Sequence, residues 1–200
     1  MACSAALSLP SRETHLETLG TVVQEEIVVT CLGMATHLWN RIRPKPSNFH
    51  LADSMGQAIP LAAGLALARP QSRTIVMEGD GGLLMNLGCL ATVADLELDN
   101  LLILLFDNRV YEASGNQPLP GRTADFTALA GAAGITHCAT IEQAEDFRSA
   151  LDEGLGRKAV TFLTLKIRPE SNLNFPPYKD RPWEVAERFR NWIDERKTQA

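Results

Sequence analysis

The chain has 200 residues, 45% of them apolar and 22% charged, with a formal net charge of −5. That length suffices for one α/β domain with a well-buried core, while the acidic balance and scattered Lys and Arg exclude the dense basic stripe of a nucleic-acid surface. No apolar run approaches the roughly 20 residues that a bilayer span requires, and residues 1–10 lack the basic start and long apolar middle of a secretory signal.

Taken along the chain, apolar runs at 27–31, 48–51, 74–78, 101–107, 135–139 and 160–167 read as strands. Several are apolar at every position, as in Leu101-Leu102-Ile103-Leu104-Leu105-Phe106, and such strands are covered on both faces of a parallel sheet. The segments between them read as helices. Residues 57–68 are apolar almost all round, with Pro60 expected to kink that helix or to sit near its start. Leu83, Leu87, Leu90, Ala91 and Ala94 recur at the spacing of one helix face. After Pro169 comes a turn-rich connector at 172–177. A last helix follows, with Trp183, Ala186, Phe189, Trp192 and Ile193 available for one apolar face. The alternation predicts an α/β fold, a doubly wound, mostly parallel six-stranded sheet with helices on both faces. It is read as a single domain over 1–200, with its core at about 20–168 and the connector and helix at 169–200. The four cysteines, Cys3, Cys31, Cys89 and Cys138, show no C-x-x-C spacing, which points to a reducing cytoplasm without disulfides or zinc.

Ligands of such sheets bind beyond the carboxyl ends of the strands, so chemistry is sought in the loops that follow them. Glu78-Gly79-Asp80-Gly81-Gly82 lies directly after one strand and directly before a helix. Glycines let the backbone turn tightly and approach a ligand, and free N–H groups at a helix start suit a phosphate. An aspartate beside phosphates needs a divalent cation between them, and Mg²⁺ binds both kinds of oxygen. The alternative is a turn whose Asp caps the helix. A dinucleotide fingerprint is disfavoured, because its third glycine would fall at Leu84. Asn108 ends the next strong strand, 28 residues after Asp80. If the two strands are neighbours, their ends lie about 5 Å apart, close enough for two oxygen ligands to share one Mg²⁺. Taken by itself, Asn108 is also a good turn residue.

With these residues in place the chain resembles the thiamine-diphosphate enzymes, whose cofactor motif is Gly-Asp-Gly, some two dozen residues or slightly more, then Asn. Here it reads Gly79-Asp80-Gly81, 26 residues, then Asn108. The resemblance implies that Asp80 and Asn108 bind Mg²⁺ by side chain and Val110 by its carbonyl. It also implies cofactor contacts from Gly79, Gly81, Gly82, Leu83, Asn108, Val110, Tyr111 and Glu112. Many members carry a second Asn where this chain has Arg109. Upstream, Asp53-Ser54-Met55-Gly56-Gln57 resembles the segment beneath the cofactor rings. Asp53 would offer its carbonyl to the aminopyrimidine, Ser54 would stand beside it, and Met55 would wedge the cofactor into its bent form. Cys31-Leu32-Gly33 is a further candidate diphosphate loop.

Tyr111-Glu112-Ala113-Ser114-Gly115-Asn116-Gln117-Pro118, together with the Gly79–Gly88 stretch, is similar to the branch of the family that decarboxylates sulfopyruvate and phosphonopyruvate. The similarity covers about 28–168. It implies the cofactor subunit of a two-chain 2-oxo acid decarboxylase. A partner chain with the pyrimidine-binding domain would supply the activating glutamate, in a cytoplasmic hetero- and homo-oligomer. Ser114, Asn116 and Gln117 are candidate substrate contacts, and Arg109 and Arg122 candidate donors to an anionic tail. His50 is read as a core histidine. Glu25 and Glu26 precede the first strand, on the wrong side of the sheet for catalysis. A carboligating, acetolactate-synthase-like half-enzyme and a cofactor-binding scaffold subunit are the alternatives.

Overall fold

The computed structural model describes residues 9–121, 123–170 and 180–197. Arg122 and the connector at 172–177 lie outside the described residues. Six strands, β1 (Ile27–Thr30), β2 (Asn48–His50), β3 (Thr74–Gly79), β4 (Leu101–Asp107), β7 (His137–Ile141) and β8 (Thr161–Lys166), form one parallel sheet in the order β2-β1-β3-β4-β8-β7. Its interior strands are buried at nearly every position, as their unbroken apolar runs require. Along β4 the side chains alternate between the faces. Leu101, Ile103 and Leu105 enter one core cluster, and Leu102, Leu104 and Phe106 the other. The doubly wound α/β fold is therefore present, and its sheet is wholly parallel.

Helices α3 (Ala58–Ala68), α5 (Cys89–Asp95), α6 (Phe126–Ala132) and α8 (Pro182–Lys197) cover the first face. Helices α1 (Arg12–Val22), α2 (Met34–Ile42) and α7 (Ala144–Gly156) cover the second. Pro60 falls in the first turn of α3, where its missing N–H has no intrahelical partner to lose.

Four expectations are corrected. The helix expected to run through Leu83 and Ala94 is two helices, α4 (Asp80–Met85) and α5, because Asn86 leaves helical dihedrals and donates its side-chain amide to the Gly56 carbonyl. The strand expected at 135–139 runs from His137 to Ile141; Ile135 still belongs to the exit of α6, its N–H bonded to the Ala130 carbonyl. In α8, Val185, Phe189 and Trp192 are buried, whereas Trp183 is 61% exposed. Phe189 meets Phe49 of β2 edge to face at 5.3 Å, so this helix packs on its own sheet. Finally, the core begins before residue 20, since α1 buries Leu16 and Leu19 completely.

α1 also buries His15 against Phe147, the rings edge to face at 4.9 Å. Neither ring nitrogen meets a hydrogen-bond partner among the described residues, and burial holds its pKa down at about 4. The unfolded chain protonates this imidazole near pH 6.5. The folded state lags behind, so stability is complete above about pH 6.5 and falls as the pH drops towards 4. The contribution is on the order of 3 kcal/mol at the acid end. His15→Leu is expected to flatten the fall in melting temperature between pH 7 and 5. A parallel acid slope in the variant would show that His15 carries none of it.

Candidate cofactor site

β1 continues to β2 on one side, and β3 lies on its other side, so the chain reverses direction between β1 and β3. An open parallel sheet takes its ligands at such a point. A cavity of about 740 Å³ opens there, lined from β1 by Cys31, Leu32 and Gly33, from β3 and α4 by Glu78–Gly82, and from β4 by Asn108, Val110 and Tyr111.

Strands β3 and β4 are in register, Gly79 beside Phe106, which brings Asp80 and Asn108 together. The Asp80 carboxylate is 3% exposed. Its Oδ1 accepts the Gly81 N–H at 2.8 Å, and its Oδ2 accepts the N–H groups of Arg109 at 2.7 Å and Asn108 at 3.1 Å. Asn108 Oδ1 accepts the Val110 N–H at 3.0 Å. Burial pushes the Asp80 carboxyl well above the ordinary carboxylate range, the N–H groups of Arg109 and Gly81 pull it back, and nearby Asp107 raises it. A cation against Asp80 would reverse the effect of burial.

The residues fit such a cation. Each carbonyl-type oxygen offers about two lone pairs, so Asp80 Oδ1 and Asn108 Oδ1 each keep one after the bonds above. Among the described residues no three His, Cys, Asp or Glu side chains converge on a metal position. The side-chain oxygens that meet here are one carboxylate and one amide, which suits a hard cation rather than zinc.

Arg109 has φ of +63°, a left-handed conformation that Asn or Gly adopts more readily. Its N–H thereby reaches Asp80. Its guanidinium turns away from the cavity, pairing with Asp107 at 2.7 Å and lying over the Phe126 ring at 5.2 Å. The expectation that Arg109 serves an anionic tail in this cavity is thus corrected.

Two glycines of the motif sit where an added side chain would crowd a neighbour, whereas a Cβ on Gly79 would meet open space. A Cβ on Gly81 would lie 2.4 Å from Tyr111 Cε1, and one on Gly82 would lie 2.3 Å from Glu78 Oε1. Asp53, Met55, Glu112, Ser114 and Asn116 line the same cavity, whereas Ser54 and Gln117 do not. Gln117 instead closes the turn on Ser114, accepting from its hydroxyl at 2.9 Å and donating to its carbonyl at 2.7 Å. Leu83 is 1% exposed, with its side chain in the core, which leaves only its backbone for a ligand. His50 is buried and bonded through Nδ1 to the Thr30 hydroxyl at 2.7 Å, a core histidine as expected.

Among the cavity-lining residues given no role from the sequence are three charged ones, Arg12, Glu78 and Glu170. Glu78 had a signal, as the single acid at the end of an apolar strand. Burial pushes its carboxyl up to about 7, against the N–H groups of Gly79 and Ala58.

The parallel sheet and its oxygen-lined cleft define an α/β domain built to hold a ligand at its switch point. The C-terminal TPP-binding domain of the thiamine pyrophosphate enzymes matches residues 28–165, and the chain belongs to that family. It is 33% identical over 174 residues to sulfopyruvate decarboxylase subunit beta of Methanothermobacter thermautotrophicus, covering 87% of this chain and 90% of that one. It is also 33% identical over 187 residues to phosphonopyruvate decarboxylase of Streptomyces hygroscopicus, covering 93% of this chain but 46% of that one. Benzoylformate decarboxylase from Polynucleobacter necessarius shares the fold, with a TM-score of 0.69 at 20% identity over 80% of this chain and 33% of that one. The family and fold expected from Gly79-Asp80-Gly81 and Asn108 are borne out. Among the described residues Cys31, Cys89 and Cys138 are free thiols, and no helix is long and apolar enough to cross a membrane.

Proposed function

We propose that this chain is a single-domain, cofactor-holding subunit of a two-chain thiamine-diphosphate-dependent decarboxylase acting on a short anionic 2-oxo acid such as 3-sulfopyruvate or phosphonopyruvate. The observation that carries the reading is the meeting of buried Asp80 with Asn108 at the floor of the cavity, in a chain that covers 90% of a decarboxylase beta subunit. Asp80, Asn108 and the Val110 carbonyl would hold Mg²⁺. The Gly79–Gly82 backbone would face the diphosphate, and Asp53 and Met55 would support the rings. Thiamine diphosphate supplies, when bound, the nucleophilic carbon and the electron sink for loss of CO₂.

The glutamates of this cavity are partly engaged within the chain, although Glu78 Oε2 and Glu170 Oε2 have no hydrogen-bond partner among the described residues. Glu112 and Glu170 pair with Arg12, and one Glu78 oxygen accepts the Gly79 N–H at 3.0 Å. On the resemblance to the thiamine-diphosphate enzymes, the activating glutamate is read as belonging to a partner chain that carries the pyrimidine-binding domain. Decarboxylation is preferred to carboligation because similarity to the probable acetolactate synthase large subunit of Methanococcus aeolicus extends over only 62% of this chain. The purified chain alone is expected to release no CO₂ from 3-sulfopyruvate with thiamine diphosphate and Mg²⁺, and to do so once its partner is added. Sustained turnover by a homogeneous sample of the chain alone would refute the half-enzyme reading.

A further inference from the structure

Arg12 opens α1, behind Ser11, whose hydroxyl caps the helix by accepting the Thr14 N–H at 3.0 Å. The segment before it is tied to the exit of β8, where the Arg168 N–H bonds to the Pro10 carbonyl at 3.0 Å. This places the Arg12 side chain, 7% exposed, over the Phe106 ring at 5.5 Å, at the carboxyl end of β4. There it meets two acids that also line the cavity. Arg12 Nη2 donates to Glu112 Oε2 at 2.8 Å, and Nη1 lies 3.5 Å from Glu170 Oε2. The other Glu112 oxygen accepts the Glu170 N–H at 2.9 Å. Both oxygens of Glu112 are thus held, one by the start of the chain and one by the segment leaving the sheet.

Glu112 begins the 3-10 turn Glu112–Ser114, between the short strands β5 (Val110–Tyr111) and β6 (Gln117–Pro118) that pair as an antiparallel hairpin. The hairpin walls the cavity with Tyr111, Ala113, Ser114 and Asn116, and Tyr111 lies against the Gly81 backbone. None of its residues from Val110 to Pro118 is fully buried, and of them Tyr111 packs against the core cluster. A two-stranded hairpin has little stability of its own. Charge-assisted hydrogen bonds shielded from water are the strong contacts available to it.

We propose that Arg12 is a positioning residue for the cofactor site: through Glu112 it clamps the 110–118 hairpin over the cavity and keeps Tyr111 seated on Gly81. Arg12 and Glu170 both lie outside the family-matched residues 28–165, so the clamp is built from the flanks of this chain onto the shared domain. Lysine cannot reproduce it, because a single ammonium does not span two carboxylates in the plane that a guanidinium does. The effect on cofactor affinity rests on the reading of this cavity as a thiamine diphosphate site; the clamp itself does not.

The test compares the full-length wild-type chain with Arg12→Met and Arg12→Lys by amide hydrogen exchange without cofactor, and by titration with thiamine diphosphate and Mg²⁺. Arg12→Met is expected to speed exchange across 110–117 by about tenfold, the order of one lost charge-assisted contact. The amides of β3 and β4 should stay protected, and thiamine diphosphate affinity should fall by a similar factor. Arg12→Lys should lie between the two. Unchanged exchange at 110–117, or an equal rise throughout the sheet, would overturn the clamp. Opening of 110–117 in Arg12→Met with cofactor affinity unaltered would overturn its role in the site. A wild-type chain that opens in this way on substitution but takes up no thiamine diphosphate would support the clamp and refute the cofactor reading instead.

Discussion

Replacing Asp80 with Ala is expected to abolish Mg²⁺-dependent binding of thiamine diphosphate, a loss of at least about 100-fold in affinity. The carboxylate is buried and directed by three backbone N–H groups, so no neighbouring side chain can take its place without rebuilding the loop. Without its charge, a cation at this point would face only the neutral oxygens of Asn108 and Val110 and the phosphates themselves. The loss of those N–H contacts also leaves buried donors unsatisfied, so the Ala variant is not expected to melt higher despite losing a buried acid. Asp80→Asn separates the two effects. It retains one acceptor oxygen for the loop in place of two and lacks the charge, and is expected to melt nearer to wild type than the Ala variant while still failing to bind. Isothermal titration with and without Mg²⁺ measures both variants. Wild-type affinity in Asp80→Ala would show that the metal lies elsewhere.

The largest effect on stability is expected from Gly56→Ala. Gly56 has φ of +76°, and a Cβ built on it would lie 2.8 Å from the carbonyl oxygen of Gly82. That oxygen belongs to the backbone of the Gly79–Gly82 loop and cannot swing aside as a side chain can. The left-handed conformation costs a non-glycine residue about 1–2 kcal/mol, and forced overpacking typically adds about 1–3 kcal/mol. A loss of roughly 2–5 kcal/mol follows, which lowers the melting temperature of a 200-residue chain by about 4–20 °C. The same substitution pushes the Asp53–Met55 segment away from α4, where the Asn86 amide holds the Gly56 carbonyl at 3.0 Å, so cofactor affinity should fall with it. A Gly56→Ala chain melting within a degree or two of wild type would mean that this loop is free to move as a unit.

Much of this molecule is legible from local pattern. The central strands announce themselves because every position is apolar, and a strand buried on both faces leaves no other composition possible. Asp80 and Asn108 are legible because a Gly-rich turn and an Asn each follow such a strand, and the register of β3 on β4 then brings them together. What was missed depends on contacts between distant parts of the chain. Arg12 and Glu112 are 100 residues apart, and nothing at either position marks the other. The face of α8 is decided by where Phe49 of β2 stands, so Phe189, Trp192 and Ile193 turn inward as expected, while Val185 takes the place expected of Trp183 and Ala186. The break between α4 and α5 has the same origin, since Asn86 leaves the helix to bond Gly56, 30 residues earlier. Arg109 illustrates the converse. By its charge it reads as a candidate donor to an anionic tail, but its side chain serves Asp107 and Phe126 while its backbone serves Asp80.

We propose that this chain holds the cofactor for a reaction it completes only with a second chain. Native mass spectrometry of the tagged protein, recovered from its own cells in buffer with thiamine diphosphate and Mg²⁺, tests it most directly. The expected result is a complex that contains a second, different chain and retains thiamine diphosphate. A homo-oligomer of this chain alone, with no thiamine diphosphate bound, would contradict it.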